Sequence, residues 1–224
     1  IRFSCIISNI LDTLEVYIMK AFEYDSGFMK FAILLSRLTL LNLIWLIACI
    51  PVVTIGASTA AMHYSAAKLM NGDSHVFGNY KTGFRTYWKK GTVIWLITAV
   101  FSAIFGMASY LFQTARIPYH TVLMVISGMA FLTLLLVVIW IYPTMVNFSG
   151  KLQELFFNAF IFAFMYAPVT LIAVVFYGIA GFLFIRFLLT RMLVVLFGPA
   201  LIVYSTLVLF EKVFKKYRPM TEES

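Results

Sequence analysis

Three consecutive residues, Asp73, Ser74 and His75, have the side-chain types of a hydrolytic triad, in which a histidine activates a serine and a carboxylate orients the histidine. Triad members are distant in sequence and converge from separate elements, so three neighbours cannot take up that geometry. The preceding Asn71 and Gly72 are typical of a turn. We therefore predict a loop at this position and no catalytic site.

Side chains that bind metals are few. The histidines His63, His75 and His120 have no ligand spacing with one another, and no cysteine pair or HExxH motif accompanies them. Cys5 and Cys49 are too few for a disulfide framework, and Cys49 falls in an apolar run where a small inert thiol is expected. The sequence predicts no catalytic residue, no metal ligand and no cofactor.

Ionisable side chains within a membrane span mark proton relays and ion-coupled sites, because burying a charge in lipid is costly. In the apolar runs described below, Arg37, Arg186 and Glu211 lie near the ends, and no basic or acidic residue occupies a middle position. This argues against ion-coupled transport and charge-selective conduction. Since a nucleophile–base pair and a metal set are also missing, we expect a protein that is not an enzyme.

The composition indicates that the chain lies in a lipid bilayer. Of its 224 residues 62% are hydrophobic and 12% charged, with a mean hydropathy of +0.96. Soluble domains are about 45–50% apolar and about 25% charged. The net charge of +8 comes mostly from basic residues between apolar runs. That pattern is typical of contact with anionic lipid head groups, and we expect no nucleic-acid partner.

Five apolar runs reach bilayer length, since a hydrocarbon core of about 30 Å needs roughly 20 helical residues. They are 34–55, 91–111, 120–142, 165–183 and 192–210. Alternating β-barrel patterning is absent, and only helices or closed barrels satisfy the backbone in lipid. We predict an all-α membrane bundle of five transmembrane helices, with additional interfacial amphipathic helices, one of them at 152–164.

We expect a single membrane domain at 19–218, preceded by an N-terminal extension at 1–18 and followed by a polar tail at 219–224. Met19 is a plausible start, and 1–18 lacks the basic region of a signal peptide. With five spans, ten basic residues fall on the C-terminal side of the membrane and seven on the other side. The positive-inside rule then places the N-terminus outside and the C-terminus in the cytoplasm.

The first apolar run contains Pro51 and breaks at Gly56 and Ser58. We interpret these three residues as structural determinants of a helix break, with Gly56 as a flexible stop and Ser58 as the N-cap of the next helix. The break is either a corner at the cytosolic interface, where a surface helix begins, or a broken helix whose N-terminal amides face an anionic ligand, as in transporters. Counting about 20 residues from Leu34 favours the corner.

An amphipathic segment at 77–90 precedes the second span. Its aromatic residues at helical spacing are Phe77, Tyr80, Phe84, Tyr87 and Trp88. Lys81, Arg85 and Lys89 follow at i, i+4 and i+8 on a neighbouring face, as in a helix lying in the head-group plane. These side chains either hold the protein to lipid or form a docking surface for a partner. For the second case the candidate interaction residues are Lys81, Arg85, Trp88 and Lys89.

Several stretches between about residues 20 and 100 are distinctive. They are FEYDSGFMKF at 22–31, LNLIWL at 41–46, PVVTIGASTAA at 51–61 and the basic and aromatic region at 68–90. Together they resemble the YesL-like family, also described as a domain of unknown function, DUF624. The resemblance continues more loosely, as hydropathy and a basic tail, to the end of the chain.

The resemblance implies a small multi-pass protein of the bacterial cytoplasmic membrane, from a family often encoded beside carbohydrate ABC importers. We therefore expect an accessory or regulatory protein associated with ABC-type oligosaccharide uptake, which acts by protein interaction rather than catalysis. Its expected partners are the lipid bilayer and subunits of such an importer. The alternative is a transporter or pore for a small neutral solute, which would use Ser, Thr, Tyr and Trp side chains and the break near Pro51.

Overall fold

The computed structural model describes residues 27–114, 119–186 and 188–217, except for the side chains of 188–190. These residues form helices joined by short connections, and the described part contains no strand. The helices are α1 (Gly27–Ala48), α2 (Ile55–Met70), α3 (Val76–Thr114), α4 (His120–Asn147), α5 (Leu152–Met165), α6 (Ala167–Arg186) and α7 (Leu188–Phe214), with a 3-10 turn at Val52–Thr54. The predicted all-α bundle is confirmed. The predicted extension at 1–18 and tail at 219–224 lie outside the described residues.

Five of the helices, α1, α3, α4, α6 and α7, are long and apolar enough to cross a membrane. The predicted number of spans is therefore confirmed, and the five helices fit a multi-pass membrane protein. Large apolar side chains are exposed along their outer surfaces, where acyl chains would surround them. With 16 and 14 residues, α2 and α5 are shorter than the roughly 20 residues that a hydrocarbon core requires.

The first span ends seven residues earlier than predicted, at Ala48 instead of Ile55. The helix ends before the apolar run does. Pro51 ends it, because proline has no N–H for a helical hydrogen bond and disfavours a helical residue before it. Shifting the span towards the N-terminus places Arg37, half-buried, near the middle of α1 rather than near its end. Arg37 is thus an exception to the expected lack of ionisable residues within the spans.

The short helix α2 lies inside the bundle, against α1, α3, α4 and α7. Ten of its 16 residues are buried, so the expectation of a surface helix after the break is wrong. The buried positions include Gly56, Ala57, Ser58, Ala60 and Ala61. Such small side chains allow neighbouring backbones to approach closely. They contribute little to hydropathy, which is why the apolar pattern did not reveal their burial.

An aromatic cluster joins α4, α5, α6 and α7. Trp140 is fully buried and stacks on Phe210 with a ring-centroid distance of 4.0 Å, and Phe162 and Phe214 pack around it. The Trp140 indole N–H donates to the Thr170 hydroxyl at 2.9 Å, so its polar atom is also satisfied. A second cluster joins α1, α2, α3 and α7. Together the two clusters hold the first part of α3 and the helix ends around it in place.

Candidate interaction surface

The helix α3 is a single α-helix of 39 residues, about 58 Å long at 1.5 Å per residue. A bilayer with its head groups is about 40–45 Å thick, so α3 is longer than a span. The predicted separate helix in the head-group plane at 77–90 is therefore wrong, since these residues continue directly into the span. No proline or cap interrupts the helix before Gly91. With α2 and the turn at 71–75, the first part of α3 forms an antiparallel hairpin.

One face of this first part packs inside the protein. The Tyr80 hydroxyl lies 2.6 Å from the Ser58 hydroxyl of α2, and a Cβ on Gly83 would lie 2.9 Å from the Tyr64 ring. The Tyr87 hydroxyl reaches to within 3.5 Å of a backbone carbonyl of α4. Tyr80 and Tyr87, predicted either to hold the protein to lipid or to dock a partner, thus belong to the interior and hold α3 against its neighbours.

The opposite face is exposed and carries all four candidate residues. Lys81, Arg85, Trp88 and Lys89 are exposed, with Trp88 at 51% of its full accessibility. Their spacing of four, three and one residues places them on one side of an α-helix. No Asp or Glu occurs between residues 77 and 90. We call these four side chains the basic–aromatic face.

The same end of the bundle carries an excess of positive charge. Because the spans alternate in direction, the described basic residues at this end are Lys68, Lys81, Arg85, Lys89, Lys90, Lys151, Lys212, Lys215 and Lys216. The described acidic residues are Asp73, Glu154 and Glu211. Glu154 accepts the backbone N–H of Lys151 at 2.9 Å and belongs to the start of α5. The basic–aromatic face is thus surrounded by further cations.

Pro51 lies between α1 and the 3-10 turn, where the chain changes direction. The Thr54 hydroxyl donates to the carbonyl oxygens of Ala48 and Pro51, each at 2.7 Å. Thr54 also occupies the N-cap position of α2. Ser58 as the N-cap is therefore wrong, since Ser58 lies a full turn inside the helix.

Gly56 and Ser58 instead join α2 to its neighbours. A Cβ on Gly56 would collide with the Gly91 carbonyl oxygen, so the two helices touch backbone to backbone. Ser58 is fully buried, donates to the Trp45 carbonyl at 3.2 Å and accepts from the Tyr80 hydroxyl. These residues determine the packing of α1, α2 and α3 rather than the position of the break.

Asn42 of α1 forms a polar site that the sequence analysis did not single out. Pro199 in α7 has no N–H, so the Val195 carbonyl four residues earlier lacks its helical donor. The Asn42 amide donates to that carbonyl at 2.7 Å and to the Leu196 carbonyl at 3.0 Å, while its oxygen accepts the Ala200 N–H at 3.2 Å. Asn42 is fully buried. The sequence signal for this site was the amide side chain of Asn42 in one span and the proline Pro199 in another.

The histidines and the triad-like residues are far from a common centre. His63 is buried in α2, its Nδ1 lies 2.9 Å from the Thr59 carbonyl, and its ring stacks on Tyr142 at 5.7 Å. Burial lowers the pKa of His63 to about 4, so the ring is neutral and Nδ1–H donates. In the described residues no group of three or more metal-binding side chains comes together.

Asp73 and His75 form an exposed turn. The Asp73 carboxylate accepts the His75 backbone N–H at 3.0 Å, and its second contact is the His75 ring at 3.2 Å. The backbone hydrogen bond, with smaller contributions from neighbouring side chains, lowers the pKa of Asp73. The loop predicted here is confirmed, and the carboxylate stabilises the turn between α2 and α3.

Comparison with known proteins finds a family model that matches part of the chain. Residues 38–110 match the model of a family described as a protein of unknown function, DUF624. No curated protein and no solved structure matches the chain. The matched residues run from α1 through the break and α2 to most of α3, and so include the basic–aromatic face. Over this region the chain is similar to the DUF624 family.

Proposed function

We propose that this chain is an integral membrane accessory or regulatory protein that binds a protein partner through its basic–aromatic face. The observation that carries this proposal is that the first part of α3 has two different faces. One face is packed against α2 and α4, while the other exposes three cations and half of a tryptophan. Trp and Arg are enriched in interface hot spots, and the surface complementary to these cations is acidic.

The proposed partner is a subunit of a carbohydrate ABC importer. This part rests on the resemblance of the chain to the YesL-like family alone; the family match over 38–110 includes the face but names no partner. Because the face carries three cations and Trp88, we expect the partner's cytoplasmic surface to present carboxylates beside an apolar site for the Trp88 ring. No reaction is involved, since the proposed action is contact between two membrane proteins.

We place the protein in a bacterial cytoplasmic membrane, with the end that carries the basic–aromatic face in the cytoplasm. Nine described basic residues lie at this end, whereas Lys30, Arg186 and Arg191 lie at the other end and Arg37 lies within α1. The positive-inside rule supports this orientation, with the N-terminus outside and the C-terminus inside.

The alternative, a transporter or pore for a small neutral solute, has less support. Several polar side chains buried between the helices have partners inside the protein, although the fully buried Thr144 hydroxyl of α4 has none among the described residues. Asn42 bonds three backbone groups of α7, Thr170 bonds Trp140 and two carbonyls, and Thr98 bonds backbone of its own helix. Flux through proteoliposomes that contain only this chain tests the alternative, and sugar uptake above that of empty vesicles would favour it.

Copurification tests the proposal. Tagged wild type is expected to enrich importer subunits from solubilised membranes, and the variant K81E/R85E/K89E is expected to lose most of that enrichment, roughly tenfold, because three attractive charges become repulsive. The matched control K212E/K215E/K216E reverses three exposed cations at the same end of the bundle and is expected to retain the partner. Equal enrichment by the two variants, or no enrichment by wild type over unrelated membrane proteins, would refute the proposal.

A further inference from the structure

A groove between α3, α4 and α5 opens on the outer surface of the bundle. Its volume is about 650 Å³, within the range of about 300–1,000 Å³ that is usual for ligand pockets. Its walls include Phe101 and Phe105 from α3, Leu134 from α4, and Phe156 and Phe160 from α5. Gln153 is the one polar residue among those that line it. Such walls suit a hydrocarbon chain.

A smaller cleft of about 420 Å³ lies at the end of α4 and has a different chemistry. Thr86 and Lys90 of α3 and Ser149 of the connection to α5 line it. The Lys90 ammonium donates to the Gly150 carbonyl at 2.9 Å, which holds the cation beside the cleft. The Thr86 hydroxyl already donates to the Thr82 carbonyl at 2.9 Å, so the donors beside the cleft are the Ser149 hydroxyl and the Lys90 ammonium. A hydroxyl and an ammonium in one cleft suit an anionic, oxygen-rich group such as a phosphate.

The cleft and the groove follow one another along one side of α3. Thr86, Lys90, Ile97 and Phe101 recur at intervals of four, seven and four residues, which is one face of an α-helix. Lys90 and Ile97 are about 10 Å apart along the helix axis at 1.5 Å per residue. The polar cleft lies on the side of the charged end of the bundle, and the groove lies towards the middle of the spans. A membrane lipid has the same arrangement, with its polar head group at the bilayer surface and its acyl chains in the hydrocarbon core.

The charge around the cleft is positive. Lys90 contacts a neutral carbonyl and has no carboxylate within ion-pair distance in the described part of the chain. Lys151 adds an exposed cation, and Glu154 is the acidic residue nearest to it in sequence. The Glu154 carboxylate accepts the backbone N–H of Lys151 and keeps its charge, so Lys90 and Lys151 together still leave a net positive charge here. A negatively charged head group is therefore favoured over a zwitterionic one.

We infer that the groove and the cleft together bind one anionic phospholipid, with an acyl chain among the phenylalanines and the phosphate at Lys90. A transmembrane helix from a partner or from a second copy of the chain would fill the groove but would not require the cation at its charged end. The combination of hydrocarbon walls with an adjoining cationic cleft therefore favours lipid. The inference does not depend on the proposed function, because the basic–aromatic face is formed by other side chains.

Native mass spectrometry of the full chain, delipidated in detergent, tests the inference with equimolar dioleoyl phosphatidylglycerol and dioleoyl phosphatidylcholine. Wild type is expected to retain phosphatidylglycerol preferentially, and K90Q/K151Q is expected to lower that preference roughly tenfold, as for lost hydrogen bonds to a charged group. The matched control K81Q/R85Q removes two cations from another face of α3 and is expected to keep the preference.

A second variant separates the acyl chain from the head group. Ala130 lines the groove, so A130F fills open space, and it is expected to reduce retention of both lipids while thermal unfolding stays near that of wild type. Equal retention of the two lipids by wild type, an undiminished preference in K90Q/K151Q, or unchanged binding in A130F would each overturn the inference. A dimer that A130F dissociates would overturn it as well, since the groove would then hold a second copy.

Discussion

At the scale of single residues, this membrane protein pairs some of its buried polar groups across helices that are distant in sequence, although the buried Thr144 hydroxyl has no partner among the described residues. Asn42 replaces the hydrogen bonds that Pro199 removes from α7, although the two residues are 157 positions apart in the chain. Trp140 and Thr170 bridge α4 and α6 in the same way. An unpaired carbonyl or amide in lipid costs several kcal/mol, so such pairs determine where α1, α4, α6 and α7 meet.

Replacing Asn42 with Leu is expected to destabilise the protein by about 3 kcal/mol, because a buried carbonyl and a buried N–H of α7 lose their partners and each costs about 1–3 kcal/mol. Unfolding in detergent with increasing denaturant measures the change. T39V in the same helix is the control, since the Thr39 hydroxyl bonds only to Leu35 of its own helix.

The second half of this test uses Pro199. The N–H introduced by P199A can pair with the Val195 carbonyl, so N42L is expected to cost at least about 1 kcal/mol less in a P199A background than in wild type. A cost of N42L that is the same in both backgrounds would show that the amide does not act on the break in α7.

His63 predicts a dependence of stability on pH. Its pKa is about 4 in the folded protein and near 6.5 when unfolded, so the folded state favours the neutral ring. The contribution to stability is complete above pH 6.5 and is lost as the pH falls towards 4, because the unfolded chain binds the proton first. When the pH is lowered from about 7.5 to about 5, protonation of this residue in the unfolded chain is expected to lower the free energy of unfolding by about 2 kcal/mol.

Unfolding of wild type and H63F at the two pH values isolates that contribution. In H63F the ring at position 63 can still stack on Tyr142 but cannot titrate, so its stability is expected to fall less with acidification than that of wild type. A pH dependence of H63F identical to that of wild type would contradict burial of a neutral His63.

At the scale of helices, the approach of α2 to α3 decides the architecture. G91A is expected to destabilise the protein by about 1–3 kcal/mol, because its Cβ would lie 2.8 Å from the Gly56 carbonyl oxygen and 3.0 Å from Ala57 Cα, both in the backbone. G106A in the same helix is the matched control. A Cβ there meets nothing within 4 Å, and the higher helix propensity of Ala is expected to add up to about 1 kcal/mol. Equal unfolding midpoints for the two variants would argue against the close contact.

Sequence reasoning succeeded for helices whose signal is local and failed where the signal is tertiary. The spans in α4, α6 and α7 were predicted to within a few residues of the helix bounds, because long apolar runs in lipid must be helical. The burial of α2 was missed because Gly, Ala and Ser carry little hydropathy. The face at Lys81, Arg85, Trp88 and Lys89 followed from spacing, whereas the burial of Tyr80 did not, since an aromatic side chain suits both a core and a lipid interface.

At the scale of the whole molecule, charge and hydropathy are distributed unequally between the two ends of the bundle. The aromatic cluster around Trp140, the buried helix α2, the hairpin it forms with α3 and most described cations lie at the same end. At the other end, the described part of the chain consists of the ends of the spanning helices. The packed end thus offers a firm surface with a positive potential, which supports both a protein partner and anionic lipid there.

The same asymmetry predicts the orientation of the protein, and accessibility of single cysteines measures it. In a chain with Cys5 and Cys49 replaced by alanine, S74C lies in the exposed turn at the charged end and Y119C at the opposite end, where Tyr119 is 79% exposed. A membrane-impermeant thiol reagent is expected to label Y119C in intact cells and S74C only after permeabilisation, because the end with nine described cations is retained inside. The reverse pattern would place the basic–aromatic face outside the cell, where cytoplasmic importer subunits cannot reach it, and would refute the proposed partner along with the orientation.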